Sequence, residues 1–166
     1  MKQTCYRLDE QIRQAIVLLE ALWSPKQLDF DADLAEVTWR GPETLMLHVW
    51  TNLISNAVKF SPQRGLIAVT LKQTDGRFEI AITDQGPGIP PEEQERIYRR
   101  FYQVDSSHQQ EGNGLGLALC KQILDDCGGI IRVENQLPCG CRFIVTLPEK
   151  MTGEEAKQEE AHGTGK

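Results

Sequence analysis

Several things are scarce in this 166-residue sequence, and each shortage closes a class of function. No apolar run reaches the roughly 20 residues that a membrane-spanning helix needs, and the N-terminus does not read as a signal peptide. The chain is therefore expected to be soluble and cytoplasmic, without membrane contact of its own; an anchor in the parent protein would lie outside it. Positive charge is short: 18 Lys and Arg stand against 24 Asp and Glu, a net charge of −6. That balance argues against a nucleic-acid or anionic-membrane binder. Any phosphate must be held locally, by backbone amides, a metal and a few cations. The five cysteines, Cys5, Cys120, Cys127, Cys139 and Cys141, are odd in number and form no C-x-x-C pair. They read as free thiols in a reducing compartment, not as a metal or disulfide framework. There is no internal repeat and no G-x-x-x-x-G-K-[ST] phosphate loop.

What is present suits one globular domain over residues 1–148, with 40% hydrophobic and 25% charged residues. From Glu149 onward the composition is that of a disordered polar tail. Leu8, Ile12, Ala15, Ile16, Leu19 and Leu22 recur at helical spacing and predict a helix from Leu8 to Trp23, ended by Pro25. Lys26 to Asp31 and Ala35 to Trp39 read as a two-strand hairpin. Gly41-Pro42 breaks the chain and opens a second helix, Glu43 to Phe60. Leu66 to Gln73 and Arg77 to Thr83 alternate around Asp75-Gly76, a hairpin signal. A short helix is expected from Glu92. A further helix follows Gly112 to Leu117, with Leu115, Leu119, Ile123 and Leu124 on its apolar side, and stops at Gly128-Gly129. Ile130 to Asn135 and Arg142 to Leu147 form a last hairpin.

Three stretches carry chemistry. Asp84-Gln85-Gly86-Pro87-Gly88-Ile89 puts a carboxylate at the end of a strand, followed by two glycines. The carboxylate can accept from an exocyclic amine, and the glycines admit close approach of a flat ring. On its own the hexapeptide reads first as a strand ending in a Gly-Pro turn, and the rest of the chain reverses that preference. In the Glu43 to Phe60 helix, apolar nearly all round, His48, Asn52, Asn56 and Lys59 lie within an arc of roughly 80° at about 100° per residue. Strand backbone could satisfy that stripe. Alternatively the stripe lines a polar pocket, its amides suited to Mg²⁺ and its ammonium to phosphate. His48 alone reads as a packed or capping histidine. Finally, Gln103 to Asn113 is a polar loop that runs into Gly112-Asn113-Gly114-Leu115-Gly116-Leu117. Glycines opening a helix present free amides to an anion. The G-x-G-x-G spacing after a loop is not the dinucleotide fingerprint.

Together these stretches resemble the catalytic, ATP-binding domain of bacterial sensor histidine kinases, from the superfamily shared with type II topoisomerases and heat-shock chaperones. Asn52 to Phe60 is similar to the N box, Asp84 to Gly88 to the first glycine box, Phe101-Tyr102 to the F box and Gly112 to Leu117 to the second glycine box. The resemblance covers Leu8 to Pro148. It implies an α+β fold, a two-layer sandwich of a mixed five-stranded sheet with helices on one face and nucleotide under a lid. It implies ATP and Mg²⁺ as cofactors. Asp84 would accept from the adenine amine, and Gly86 and Gly88 would let backbone approach the base. Asn56 would ligate Mg²⁺, and Asn52 and Lys59 would reach the phosphates, Asn56 and Lys59 being the catalytic pair. Phe60, Ile89, Phe101, Leu115 and Leu117 would complete the nucleotide site. Gln103 to Asn113 would be the lid, hinged at Gly112, Gly114 and Gly116.

The sequence departs from that pattern in places. Gln103 stands where many members have an arginine, with Arg99 and Arg100 close by, and Cys141 stands where a Thr or Ser often helps hold the adenine. The family's phosphoacceptor is a His followed by an acid, on a separate helical dimerisation element. His48, His108 and His162 are followed by Val, Gln and Gly. The implied partners are therefore a histidine-bearing dimerisation domain N-terminal in the parent protein and a response regulator downstream, with no nucleic acid. A small serine kinase or a nucleotide sensor of the same superfamily is the other reading, separated from the first by whether a histidine-bearing hairpin is encoded upstream.

Overall fold

The computed structural model describes residues 2–99 and 116–149. Its elements are β1 (Thr4–Arg7), α1 (Leu8–Leu18), α2 (Glu20–Trp23), β2 (Asp29–Leu34), β3 (Thr38–Gly41), α3 (Glu43–Phe60), β4 (Leu66–Thr74), β5 (Arg77–Asp84), α4 (Gly116–Asp126), β6 (Ile130–Asn135) and β7 (Cys141–Pro148). Two 3₁₀ turns, Pro91–Glu93 and Arg96–Tyr98, stand where the short helix from Glu92 was expected.

A mixed five-stranded sheet is ordered β2-β4-β5-β7-β6, with β2 parallel to β4 and the other pairs antiparallel. Inward residues Ile67, Val69 and Leu71, Phe78, Ile80 and Ile82, and Phe143, Val145 and Leu147 share one core with the helices. Into that core α1 sends Leu8, Ile12 and Ala15, α3 sends Met46, Val49, Trp50, Leu53, Ile54, Ala57 and Val58, and α4 sends Cys120, Ile123 and Leu124. This is the α+β sandwich with helices on one face that the motifs implied. The apolar side of α4 is rotated from expectation: Cys120 is buried and Leu119 is 45% exposed.

The first forty residues depart most from the sequence reading. The expected helix from Leu8 to Trp23 breaks at Leu19. The Trp23 indole N–H donates to the Ile16 carbonyl at 2.8 Å, the acceptor that the Glu20 amide would take in a continuous helix. The expected hairpin of Lys26 to Asp31 with Ala35 to Trp39 does not form. β2 instead runs parallel to β4, and β3 pairs antiparallel with β1 in a separate two-stranded sheet. The cause lies between them: the Val37 carbonyl accepts from the Leu8 amide at 2.9 Å and the Val37 amide donates to Asp9 at 3.2 Å. Those bonds pull the segment to the start of α1 and away from β2. Asp29, Asp31 and Asp33 alternate along β2, one of the two edge strands of the sheet among the described residues, and are exposed.

Lys26 has another task. Its ammonium donates to the carbonyls of Val58 and Ser61, both at 2.7 Å, and of Lys59 at 3.3 Å. A cation there satisfies the open end of α3 and opposes its dipole. At the other end of the chain Glu149, expected to begin the tail, is bonded instead. Its amide donates to the Gly76 carbonyl at 3.1 Å, and its carboxylate accepts from Gln73. Residues 150–166, the remainder of the expected tail, lie outside the described residues.

Candidate functional site

Strand β5 is central in the sheet, and its last residue, Asp84, pairs with Cys141, the first residue of β7. The Asp84 carboxylate is 4% exposed and accepts from the Gly86 amide at 2.8 Å and from the Cys141 amide. Burial pushes the carboxyl above its ordinary range, and the two amides hold it back in part. Asp84 opens onto a cavity of about 440 Å³. The cavity is also lined by Asn56 and Phe60 of α3, by Pro87, Gly88, Ile89 and Pro90, and by Asn135, Cys141 and Phe143. Size and lining, largely apolar with a few convergent polar groups, suit a small ligand with a flat apolar part.

The glycines of this loop are needed by the protein itself. A Cβ on Gly86 would lie 2.6 Å from the Phe60 carbonyl oxygen, so the loop lies directly on the end of α3. Gly88 has φ of +80°, and a Cβ there would sit 2.6 Å from Asn135 Oδ1. Ile89 donates its amide to Asn135 Oδ1 and accepts from Asn135 Nδ2, both at 2.8 Å. Asn135 and Phe143 are pocket residues that the sequence reading missed. The signal was thin: an Asn closing a strand, 46 residues from its partner.

Along α3 the polar stripe divides. Asn56 lines the cavity. Asn52 faces the start of α4: its side chain bonds to Cys120, and a Cβ on Gly116 would lie 3.3 Å from its Oδ1. The Lys59 ammonium stands 5.3 Å from the centroid of the Phe60 ring, a cation–π contact beside the cavity. His48, expected to be packed or capping, is exposed. Leu117 is half-buried against the core. Cys141 is buried, and burial with the nearby Asp84 charge pushes its thiol up to about 12. It is a neutral wall, not an ion. The structure thus brings together Asn56, Phe60, Asp84, Gly88 and Ile89 around one cavity, with Gly86 against it and Asn52, Gly116 and Leu117 at the α3–α4 contact. Phe101, Gly112, Gly114, Leu115 and the expected lid, Gln103 to Asn113, lie outside the described residues.

Residues 41–151 match the histidine kinase-, DNA gyrase B- and HSP90-like ATPase family, and the chain belongs to it. Within that family its likeness is to the catalytic domains of sensor histidine kinases. A signal transduction histidine-protein kinase/phosphatase MprB from Mycolicibacterium paratuberculosis is 37% identical over 126 residues, which is 73% of this chain and 24% of that protein. Among solved structures, a mycobacterial sensor histidine kinase MprB superposes with a TM-score of 0.81 at 30% identity, covering 91% of this chain and all of that one. Histidine kinase ThkA, solved in complex with the response regulator protein TrrA, superposes with a TM-score of 0.76 at 28% identity, covering 89% of this chain and 42% of that one. The chain spans about a quarter of the length of the curated relatives it matches. Among the described residues, no helix is long and apolar enough to cross a membrane.

Proposed function

We propose that this chain binds Mg-ATP and supplies the catalytic half of a sensor histidine kinase. The γ-phosphate would go to a histidine on a helical dimerisation segment of the parent protein, and from there to a response regulator. The ATPase family supports the nucleotide, and the likeness to ThkA, solved with its response regulator protein TrrA, supports the regulator. The observation that carries the reading is Asp84: a buried carboxylate lining a largely apolar cavity that Asn56 of α3 also lines. Adenine offers an amine to such an acceptor. Guanine offers a carbonyl, and two lone pairs would face each other.

Asn56 would hold the metal. Asn56 lines the cavity, and a single amide oxygen beside phosphate oxygens is a donor set that suits Mg²⁺. When bound, Mg²⁺ neutralises phosphate charge. The chain's own part would be to orient: Asp84 would fix the base, the Gly88–Ile89 backbone would flank it, and Asn52 and Lys59 would reach toward the phosphates. Phosphoryl transfer asks a protein for positioning and charge stabilisation.

Calorimetry with ATP and GTP, with and without Mg²⁺, tests this. ATP should bind and GTP should bind far more weakly; equal affinities would sink the role of Asp84. Asn56→Ala should remove most of the gain that Mg²⁺ gives ATP binding. Radiolabelled ATP should leave no acid-labile phosphate on this chain alone. An added histidine-bearing dimerisation segment should become labelled when supplied at high concentration, since no covalent tether raises the local concentration. Acid-stable label on a serine of an added protein would move the reading to a small serine kinase.

A further inference from the structure

The loop from Gln85 to Pro90 forms one wall of the cavity, yet it is poorly equipped to hold its own shape. Two of its residues are prolines without an N–H, and two are glycines. Among the described residues its hydrogen bonds run mostly to side chains, the exception being the Pro90 carbonyl, which accepts from the Glu93 amide at 2.9 Å. Gly86 donates to Asp84, Ile89 exchanges two bonds with Asn135, the Ile89 carbonyl also accepts from Gln94 at 3.1 Å, and the Gln85 carbonyl accepts from the Cys139 thiol at 3.7 Å. Asn135 is the one that grips a residue at both its amide and its carbonyl. A carboxamide carries an acceptor and a donor side by side, so it can pair with an N–H and a C=O of one residue as a neighbouring strand would. It stands at the last position of β6, fixed by pairing with Cys141 of β7, while Cys141 is also the partner of Asp84. The acceptor for the base and the clasp on the loop are therefore referenced to one residue of one strand. Gly88 completes the fit, because any Cβ there would meet the Asn135 carboxamide oxygen at 2.6 Å.

We propose that Asn135 is a positioning residue for the adenine side of the site: it holds the Gly88–Ile89 wall at the distance from Asp84 at which a purine fits. The proposal rests on the nucleotide reading above. It assigns the second glycine of the loop a concrete task, to leave room for this side chain. It also predicts that base and phosphate recognition are separable, since Asn135 and Asn56 are on different elements.

The test uses the whole chain and two variants, Asn135→Ala and Asn135→Asp, the second keeping the acceptor for the Ile89 amide but losing the donor to its carbonyl. Asn135 is exposed, so both variants are expected to fold. The first readout needs no nucleotide: amide exchange at Ile89 should be slow in the parent, where Asn135 holds the amide, become fast in Asn135→Ala and stay slow in Asn135→Asp. The second is ADP affinity. If the unclasped loop keeps the competent shape about one tenth of the time, the Kd rises about tenfold. The ratio of affinities with and without Mg²⁺ should not move. A general loss of structure would change both. Gly88→Ala should cost ADP binding less when combined with Asn135→Ala than alone, because the blocking atom is gone. Unchanged Ile89 exchange, or unchanged ADP affinity despite faster exchange, overturns the proposal. A parent chain that binds no ADP would instead overturn the nucleotide reading, and Ile89 exchange would still decide whether the clasp exists.

Discussion

Asp9 and Asp84 are the two carboxylates buried among the described residues, at 0% and 4% exposure, and their surroundings differ in kind. Asp9 accepts from the guanidinium of Arg7 at 2.7 and 2.9 Å and from that of Arg13 at 3.1 Å, and from the Val37 amide. The Arg7 bonds, with the Val37 amide behind them, outweigh burial and hold its carboxyl down at about 2. Among the described residues Asp84 has bonds from two backbone amides and none from a cation, and burial wins, raising its carboxyl. One acid is spent on the protein itself, joining β1, α1 and the segment before β3. The other keeps lone pairs and an uncompensated charge turned to a cavity. A buried group whose charge the fold does not repay is a candidate for a ligand to repay it.

The comparison breaks most visibly at Asp84. Asp84→Asn should weaken ATP binding by about a hundredfold, since a hydrogen bond to a charged acceptor is worth about 1.5–3 kcal/mol and the amide would set a donor against the adenine amine. Its unfolding free energy at pH 7 should not fall. A variant that loses stability and keeps its affinity would reverse the assignment. Asp9→Ala should do the opposite, costing about 1–3 kcal/mol of stability for the stranded Val37 amide while leaving ATP affinity as it is. Urea unfolding and calorimetry on both variants decide the pair.

Acid sharpens the contrast. The folded-state value of Asp9 lies below the ordinary 3.8, so its stabilisation is complete above that value and is lost as pH falls toward about 2. The value for Asp84 is raised, so its burial costs stability while it is charged, and that cost fades as pH falls from neutral. The stability gap between parent and Asp9→Ala should shrink on acidification, and the gap between parent and Asp84→Asn should move in the parent's favour. Gaps that move in the same direction would mean the two acids are not opposites. The smallest effect belongs to the Tyr98 hydroxyl, which is buried without a partner among the described residues, its value pushed up to about 12 by burial. Tyr98→Phe should raise stability by up to about 1 kcal/mol. A loss instead would reveal a partner for the hydroxyl.

Local signals were legible and long-range ones were not. Helix α3 was readable to its ends because its apolar face is continuous and Pro42 starts it. The β4–β5 and β6–β7 hairpins were readable because their strands alternate and their turns are short. Asp84 stood out through its glycines. The parallel pairing of β2 with β4 spans the whole of α3, and nothing near β2 announces it. The break at Leu19 is made by an indole seven residues from the carbonyl it occupies. Asn135 is invisible for the same reason: its meaning lies in a loop 46 residues earlier.

The alternation of Asp29, Asp31 and Asp33 on the edge strand bears on how copies of this molecule meet in solution. A second β2 pairing antiparallel about Asp31 would place Asp31 against its own copy and Asp29 against Asp33. Like charges directly opposite are unfavourable, and such repulsion is one way sheets avoid edge-to-edge association. At neutral pH this charge disfavours pairing of the margin with its own kind, although among the described residues no strand pairs with β2 on that side.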